Sequence, residues 1–286
     1  MIKADRYYID NLNELLTNGC SDEHEDYPVR PKYKDGTPSY TRFITQISEK
    51  YNIHHNEFPI TTLRNTATKT GIKEVLWIYQ TQSNTLKSAH EIGVNWWDNW
   101  NIGDGTIGQR YGATVNKYNL MNELLEGLEK NPFGRRHIMD MYQYEDMRST
   151  PGLHPCAFMT LWSVRCVNDI MFIDITLTQR SNDYIMASYI NKIQYVALAM
   201  MVAGHLNNKT DKKWEVGNFM HIIQNLHIYD RHIDAAKEIL NREPLDQQPI
   251  LKLNSNKNFY EYTIDDFTIE NIEGIKKLGD DLEIAI

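Results

Sequence analysis

Several residues in this chain are of types that do chemistry, at spacings that allow it. Cys156 follows Pro155 at the head of an alternating apolar segment. Its thiolate would be a nucleophile if a cation or helix end lowered its pKa; otherwise a cysteine so placed is a small buried hydrophobe. Four arginines stand near turns: Arg30 in a polar loop, Arg135 and Arg136 after Pro132-Phe133-Gly134, and Arg180 beside Ser181. Guanidinium forks match phosphate oxygens, so two or more could build an anion site, whereas singly each is an ordinary surface arginine. Asn225, His227 and Tyr229 alternate along Phe219–Asp230, which puts three hydrogen-bonding groups on one strand face. Such a face suits a sugar or a base edge, or simply water. Glu74 lies in Ile72-Lys73-Glu74-Val75-Leu76-Trp77, and a carboxyl group on an apolar helix can take a raised pKa and acid–base work unless it faces water. Trp96, Trp97 and Trp100 with Tyr111 offer flat apolar surface for a planar ligand, or core. The odd spacing of His227 and His232 weighs against a metal site that includes His221. No P-loop, GxGxxG, GxSxG or HExxH occurs.

Helices, strands and turns must position these groups. The spacing of Tyr8, Ile9, Leu12, Leu15 and Leu16 predicts an amphipathic helix over 1–19, followed by a polar loop over 20–40. Further helices are predicted over Thr70–Gln80 and Leu120–Lys130, with a glycine-rich, turn-forming stretch from Gly93 to Gly112 between them. Cys156–Val167 and Ile170–Arg180 alternate as strands, and Asn168-Asp169 reads as their hairpin turn. Residues 189–206 are apolar on most sides, which predicts a helix buried nearly all round. Phe219–Asp230 reads as a strand, and short strand patterns with acidic turns follow from Tyr260. With no repeat and no linker, the pattern predicts an α+β fold: a mixed sheet packed by helices.

Composition narrows the function. The chain has 286 residues, 41% hydrophobic and 24% charged, enough for a large core without staples. Its 30 basic and 38 acidic residues leave a net charge of −8, which excludes a generally basic nucleic-acid-binding surface but not a local basic pocket. Cys20, Cys156 and Cys166 lack CxxC spacing, so neither a disulfide framework nor a zinc–thiolate site is expected. The first residues lack the apolar run of a signal peptide, and the longest apolar run, Tyr195–Ala203, is too short to span a bilayer. The expectation is a soluble cytoplasmic protein with no membrane or nucleic-acid partner.

Taken in order, these pieces resemble the thymidylate synthase family over nearly the whole chain. The carrying residues are Ile72 to Trp77, Trp97-Asp98-Asn99-Trp100, Tyr111-Gly112, Arg135-Arg136, Pro155-Cys156, Gln179 to Asp183, Asn191, and His227-Ile228-Tyr229. The resemblance implies one catalytic domain over 1–286 and a homodimer whose sheets stack across the interface. It implies dUMP as substrate, 5,10-methylenetetrahydrofolate as co-substrate and no metal. Cys156 would add to carbon 6 of the pyrimidine, making carbon 5 the nucleophile for the one-carbon unit. Arg180 would bind phosphate and help keep Cys156 ionised. Arg30 and Ser181 would join it at the phosphate, with Arg135 and Arg136 reaching in from the other subunit. His227 and Tyr229 would hold the sugar 3′-hydroxyl, Glu74 would organise a proton relay, and Tyr111 would help remove the carbon 5 proton. Trp97, Asp183 and Ala187 would line the folate site, and the C-terminus at Ile286 would close over it. Asn191 offers both a donor and an acceptor, which matches uracil; the related deoxycytidylate hydroxymethylases carry Asp there, so Asn191 favours dUMP over dCMP.

Three motifs depart from the family pattern. Ala157 replaces the histidine after the cysteine, Ala187 to Asn191 replaces Gly-x-Pro-Phe-Asn, and Gln224 to Tyr229 replaces Gly-Asp-x-His-x-Tyr. They bear on the last step, where a synthase excludes water and takes hydride from the folate, giving dTMP and dihydrofolate. A dUMP hydroxymethylase admits water instead, giving hydroxymethyl-dUMP and tetrahydrofolate. Trp97, Trp100 and the apolar C-terminus favour the synthase. A catalytically silent nucleotide- or RNA-binding relative is the third possibility, and retention of Cys156, Glu74, Tyr111, Arg180 and Asn191 argues against it.

Overall fold

The chain elements run α1 (Lys3–Asn18), β1 (Cys20–Ser21), β2 (Thr41–Asn52), α2 (Thr68–Val75), α3 (Leu86–Glu91), α4 (Gly112–Lys117), α5 (Leu120–Lys130), β3 (Ile138–Asp140), α6 (Tyr144–Ser149), β4 (Ala157–Val167), β5 (Ile170–Gln179), β6 (Asn182–Asp183), α7 (Ser188–Lys209), β7 (Lys213–Tyr229), α8 (Ile233–Leu240), β8 (Ile250–Leu253) and β9 (Phe267–Glu270). The computed structural model describes residues 1–279 and 282–286. Seven strands form one sheet in the order β1-β2-β7-β5-β4-β3, with β6 also on β7, and β8 pairs with β9 in a small second sheet. β7 is parallel to β5 and β6 and antiparallel to β2, so the sheet is mixed as expected.

Parallel neighbours need a crossover, and α7 supplies it between β5 and β7. It packs on both strands and on α2 and α5. Most of its side chains are buried, which accounts for its weak amphipathicity. α2 approaches it closely: a Cβ at Gly71 would lie 2.9 Å from Ile190 Cγ2. The helix expected over Thr70–Gln80 is α2 followed by a π-helical turn over Leu76–Thr81, a local widening often found beside functional side chains. The β4–β5 hairpin turns at Asn168 and Asp169, both at positive φ (50° and 63°), as a tight hairpin turn requires.

Two expectations are refined. α3 lies just ahead of the glycine-rich stretch, and the stretch itself holds a 3-10 turn over Asp98–Trp100 before it enters α4. β2 escapes the pattern because Phe43-Ile44 breaks its alternation and most of its residues are only partly covered; pairing with β7 along nearly its full length defines it. Among the described residues no helix is long and apolar enough to cross a membrane.

One ion pair lies within this core. Glu49 of β2 and Lys192 of α7 are both fully buried, with Nζ 2.7 Å from Oε2. Tyr51 and Asn11 also donate to Glu49, at 2.6 and 3.0 Å, and the ammonium sits 3.9 Å from the Tyr189 ring centroid. Burial pushes the Lys192 pKa down, and Glu49 opposes the shift. Lys192→Met should strand a buried carboxylate and lower stability by about 3–5 kcal/mol. Adding Glu49→Gln should recover most of that loss in urea denaturation; a double variant no more stable than the single one would show that the uncompensated charge is not the cause.

Candidate active site

Cys156 precedes β4 directly, and the β4–β5 register shifts between Ala157 and Met159, a bulge of the kind that re-aims a side chain. Arg180, one residue beyond β5, lies across from it. The guanidinium donates to the carbonyls of His154 (2.7 Å) and Pro155 (3.0 Å), and Nη2 stands 3.5 Å from Cys156 Sγ. These carbonyls hold the cation beside the sulfur. Burial pushes the Cys156 thiol up, and Arg180 and then Arg30 pull it down, with burial prevailing. Arg180 therefore offsets part of the burial penalty without overcoming it.

Tyr111 meets the same cysteine, its Oη accepting from the Cys156 N–H at 3.3 Å. It is held at φ 46°, ψ −110°, a strained backbone for a residue with a Cβ. The strain sits where the chain enters α4 against the Gln82–Ser83 backbone: a Cβ at Gly112 would lie 2.3 Å from Ser83 O. Only glycine fits there, which explains the Tyr111-Gly112 pair.

Glu74, near the end of α2, is buried rather than at a wet helix edge. One carboxylate oxygen accepts from the indole N–H groups of Trp96 (3.0 Å) and Trp97, the other from the Gln194 amide. Burial raises its pKa, and these three donors oppose the rise. Trp97, expected at the folate site, is buried against Trp77, Trp100 and Tyr111 and spends its N–H on Glu74. Trp96 and Trp100 remain partly exposed beside it.

Asn191 stands in the first turn of α7, where Oδ1 accepts from Gln179 (3.2 Å) and Nδ2 donates to Gln194 (2.9 Å). β6 brings Asp183 into register beside His227. Asp183 Oδ1 accepts from the N–H groups of Ile185 and Met186, at 3.0 Å each, and so shapes the turn into α7. His227 Nδ1 lies 3.0 Å from Asn225 Oδ1, and its ring is 5.2 Å from that of Tyr229, which confirms their shared strand face. Burial depresses the His227 pKa and raises that of Tyr229. Ser181 is partly buried between Arg180 and Asn182. Arg30 is exposed, yet close enough for its charge to act on Cys156, His154 and Tyr229.

Two departures from the family pattern have local structural explanations. Ala187 sits at φ −108°, so the position has no need of a glycine's freedom. Tyr189 is buried and donates its hydroxyl to Ala4 O at 2.7 Å, tying α7 to α1. The C-terminal residue is also tied down, since Ile286 and Lys32 exchange two backbone hydrogen bonds of 2.9 and 3.0 Å. It thus rests on the loop that carries Arg30.

Arg135 and Arg136 are exposed and lie apart from this cluster. The carbonyl of the next residue, His137, accepts from Trp162 N, six residues along β4 from Cys156. That is about 20 Å at strand rise. The chain does not bring this pair to its own cysteine. Sequence reasoning singled out neither Gln179 nor Gln194 for a role and weighed His221 only as a weak metal ligand. Their signal was a polar residue at an inward position of an apolar element. Among the described residues no group of three or more His, Cys, Asp or Glu could hold a metal ion.

Removing the cation beside Cys156 should lower its thiolate fraction, because Arg180 stabilises the charged form. Arg180→Ala should slow alkylation of Cys156 by iodoacetamide at pH 8 by about three- to tenfold. Peptide mapping separates this site from the exposed Cys20 and Cys166. An unchanged rate would remove Arg180 from the thiol's electrostatics.

Known proteins resemble the chain over nearly its whole length. The family model described as thymidylate synthase matches residues 6–282. The thymidylate synthase of Streptococcus pneumoniae (strain 70585) is 45% identical over 280 residues, covering 96% of this chain and 97% of that one. That of Streptococcus gordonii (strain Challis) matches at the same identity and coverage. Among solved structures, the thermostable thymidylate synthase A of Bacillus subtilis superposes with a TM-score of 0.85 at 32% identity, over 99% of both chains. With Cys156, Arg180, Tyr111, Glu74 and Asn191 gathered by a matching fold, the chain belongs to the thymidylate synthase family.

Proposed function

We propose that one catalytic domain over 1–286 transfers the one-carbon unit of 5,10-methylenetetrahydrofolate to carbon 5 of dUMP, giving dTMP and dihydrofolate. The family is one of folate-dependent one-carbon transferases. The observation that carries the residue assignments is the Cys156 sulfur 3.5 Å from a guanidinium that backbone carbonyls hold in place.

In this scheme Cys156 attacks carbon 6 of the uracil as a thiolate, forming the C–S bond and moving an electron pair to carbon 5 and the carbon 4 oxygen. Arg180 and Arg30 favour the thiolate and, with Ser181, bind the phosphate. Asn191 reads the base, and His227 and Tyr229 take the sugar hydroxyl from their shared face. Tyr111, poised against the Cys156 backbone, helps remove the carbon 5 proton, and Glu74 organises the relay from its buried, indole-lined place. Bound methylenetetrahydrofolate supplies both the one-carbon unit and the hydride that reduces it. The residues present fit its flat ring system: Trp96 and Trp100 keep exposed surface beside Glu74, and Ala187 and Asp183 frame the turn into α7. Ile286, whose backbone bonds to Lys32 on the Arg30 loop, helps exclude water in this scheme.

A second copy of the chain completes the phosphate site. Ile138 on β3, Leu161 on β4 and Ile222 on β7 are 47%, 36% and 39% exposed, apolar groups available for a partner's sheet to cover. A homodimer formed there would let Arg135 and Arg136 serve the partner's cysteine. The three free cysteines support a cytoplasmic location.

A single incubation with dUMP and methylenetetrahydrofolate should yield dTMP and dihydrofolate by mass spectrometry. Cys156→Ser should cut turnover by at least about a thousandfold while retaining dUMP binding. Hydroxymethyl-dUMP with tetrahydrofolate, or no product, would overturn the proposal. Mixing inactive Cys156→Ser with inactive Arg136→Ala subunits should restore about a quarter of wild-type activity, because half the dimers are hybrid and each has one intact site. No restoration after subunit exchange would place the arginine in its own subunit's site or outside the chemistry.

A further inference from the structure

Three side-chain amides stand in a row between an imidazole and a carboxylate. His221 of β7 is fully buried, with Nε2 2.5 Å from Gln179 Oε1. The same oxygen accepts from Asn182 Nδ2 at 2.8 Å. Gln179 Nε2 donates to Asn191 Oδ1, Asn191 Nδ2 to Gln194 Oε1, and Gln194 Nε2 both to Glu74 Oε2 and to Gly71 O at 3.1 Å.

An amide turned by 180° swaps donor and acceptor with almost no change of shape. A row of amides therefore has two senses, and its ends choose between them. His221 Nδ1 is buried with no hydrogen-bond partner among the described residues. A buried N–H without an acceptor is rarer and costlier than an unused lone pair, so the neutral ring keeps its proton on Nε2 and donates to Gln179. Burial, reinforced by Lys192, keeps that ring neutral. At the other end the Gly71 carbonyl can only accept, as can Glu74 when ionised, so Gln194 must donate. Both ends select one sense, and Asn191 lies between them.

The sense of Asn191 matters for the base. As held, one Nδ2 hydrogen remains for a ligand, while Oδ1 accepts from Gln179 at 3.2 Å and from Asn182 at a longer 3.5 Å, the weaker contact that a base N–H would displace. An amide so directed matches uracil, which offers a donor at N3 and an acceptor at O4. Turned over, it matches cytosine, whose N3 accepts and whose N4 donates. We propose that His221, through Gln179, and Gln194, against Glu74, are positioning residues that lock the Asn191 amide in its uracil-reading sense and thereby set base specificity. This rests on the reading of dUMP as substrate and of Asn191 as the residue that meets the base.

The test compares dUMP and dCMP dissociation constants, measured by titration calorimetry with dCMP read by competition. His221→Phe keeps a flat ring beside Phe219 and removes the donor. The preference for dUMP should fall by about tenfold in His221→Phe, by a similar factor in Gln194→Leu, and further in the double variant. His221→Gln, which can still donate, should hold the preference within about threefold of the unaltered enzyme. A role confined to stability would move both affinities together and leave the ratio alone. Should the phenylalanine variant fail to fold, Gln194→Leu alone decides. If the unaltered enzyme binds dUMP and the ratio stays within twofold in every folded variant, the lock is refuted by itself. If the unaltered enzyme does not prefer dUMP, the substrate reading fails first and this inference falls with it.

Discussion

A helix buried on nearly every side has no solvent to satisfy its polar residues, and α7 is such a helix. β5 and β7 are parallel, so the chain must cross over between them, and α7 lies under the sheet as a consequence. Each polar group it carries inward must find a partner there or cost stability. Lys192 finds Glu49 and the Tyr189 ring; Asn191 and Gln194 find Gln179 and Glu74. The polar interior of the site follows from that one constraint. α2, β2 and β5 each present a polar side chain to the helix because the helix presents polar side chains to them.

The same burial sets the electrostatics. Cys156, Tyr111, Glu74 and His227 are all shifted toward their neutral forms, desolvation being the largest cause for each. Opposing donors are arranged close by: two guanidiniums for the thiol, two indoles and an amide for the carboxylate. Groups whose protonation a nearby charge or hydrogen bond can tip are suited to a reaction that makes and discharges a thiolate and moves protons in sequence. In the proposed reaction an anionic phosphate between Arg180 and the exposed Arg30 would complement both cations.

Much of the fold was legible in the chain. The boundaries of α5 match, α7 was recognised by its all-round apolar character, and the β4–β5 hairpin by Asn168-Asp169 between alternating runs. These are cases in which local chemistry and tertiary role agree. β2 was illegible because its pairing lies 166 residues or more away in β7, and its partly covered face imposes no strict alternation. Glu74 left two readings open from its helix position; only the indoles and the Gln194 amide decide between them.

Residue types and their order, with the family resemblance they carry, determined the α+β class and singled out Cys156, the arginines and Asn191 as candidates. Those identities need only one residue to be present and its neighbours to be recognisable. Which groups meet was a tertiary decision. Packing turned Trp97 toward Glu74, made Tyr189 a tie to α1, kept Arg135 and Arg136 away from this chain's own cysteine, and joined His221 to Asn191 through Gln179. A hydrogen bond between β7 and β5, or between α7 and α2, joins residues tens of positions apart, and no local pattern records it. The direction of such a bond depends on which groups at its ends can only give or only accept, and those ends become neighbours only when the sheet and its buried helix are assembled.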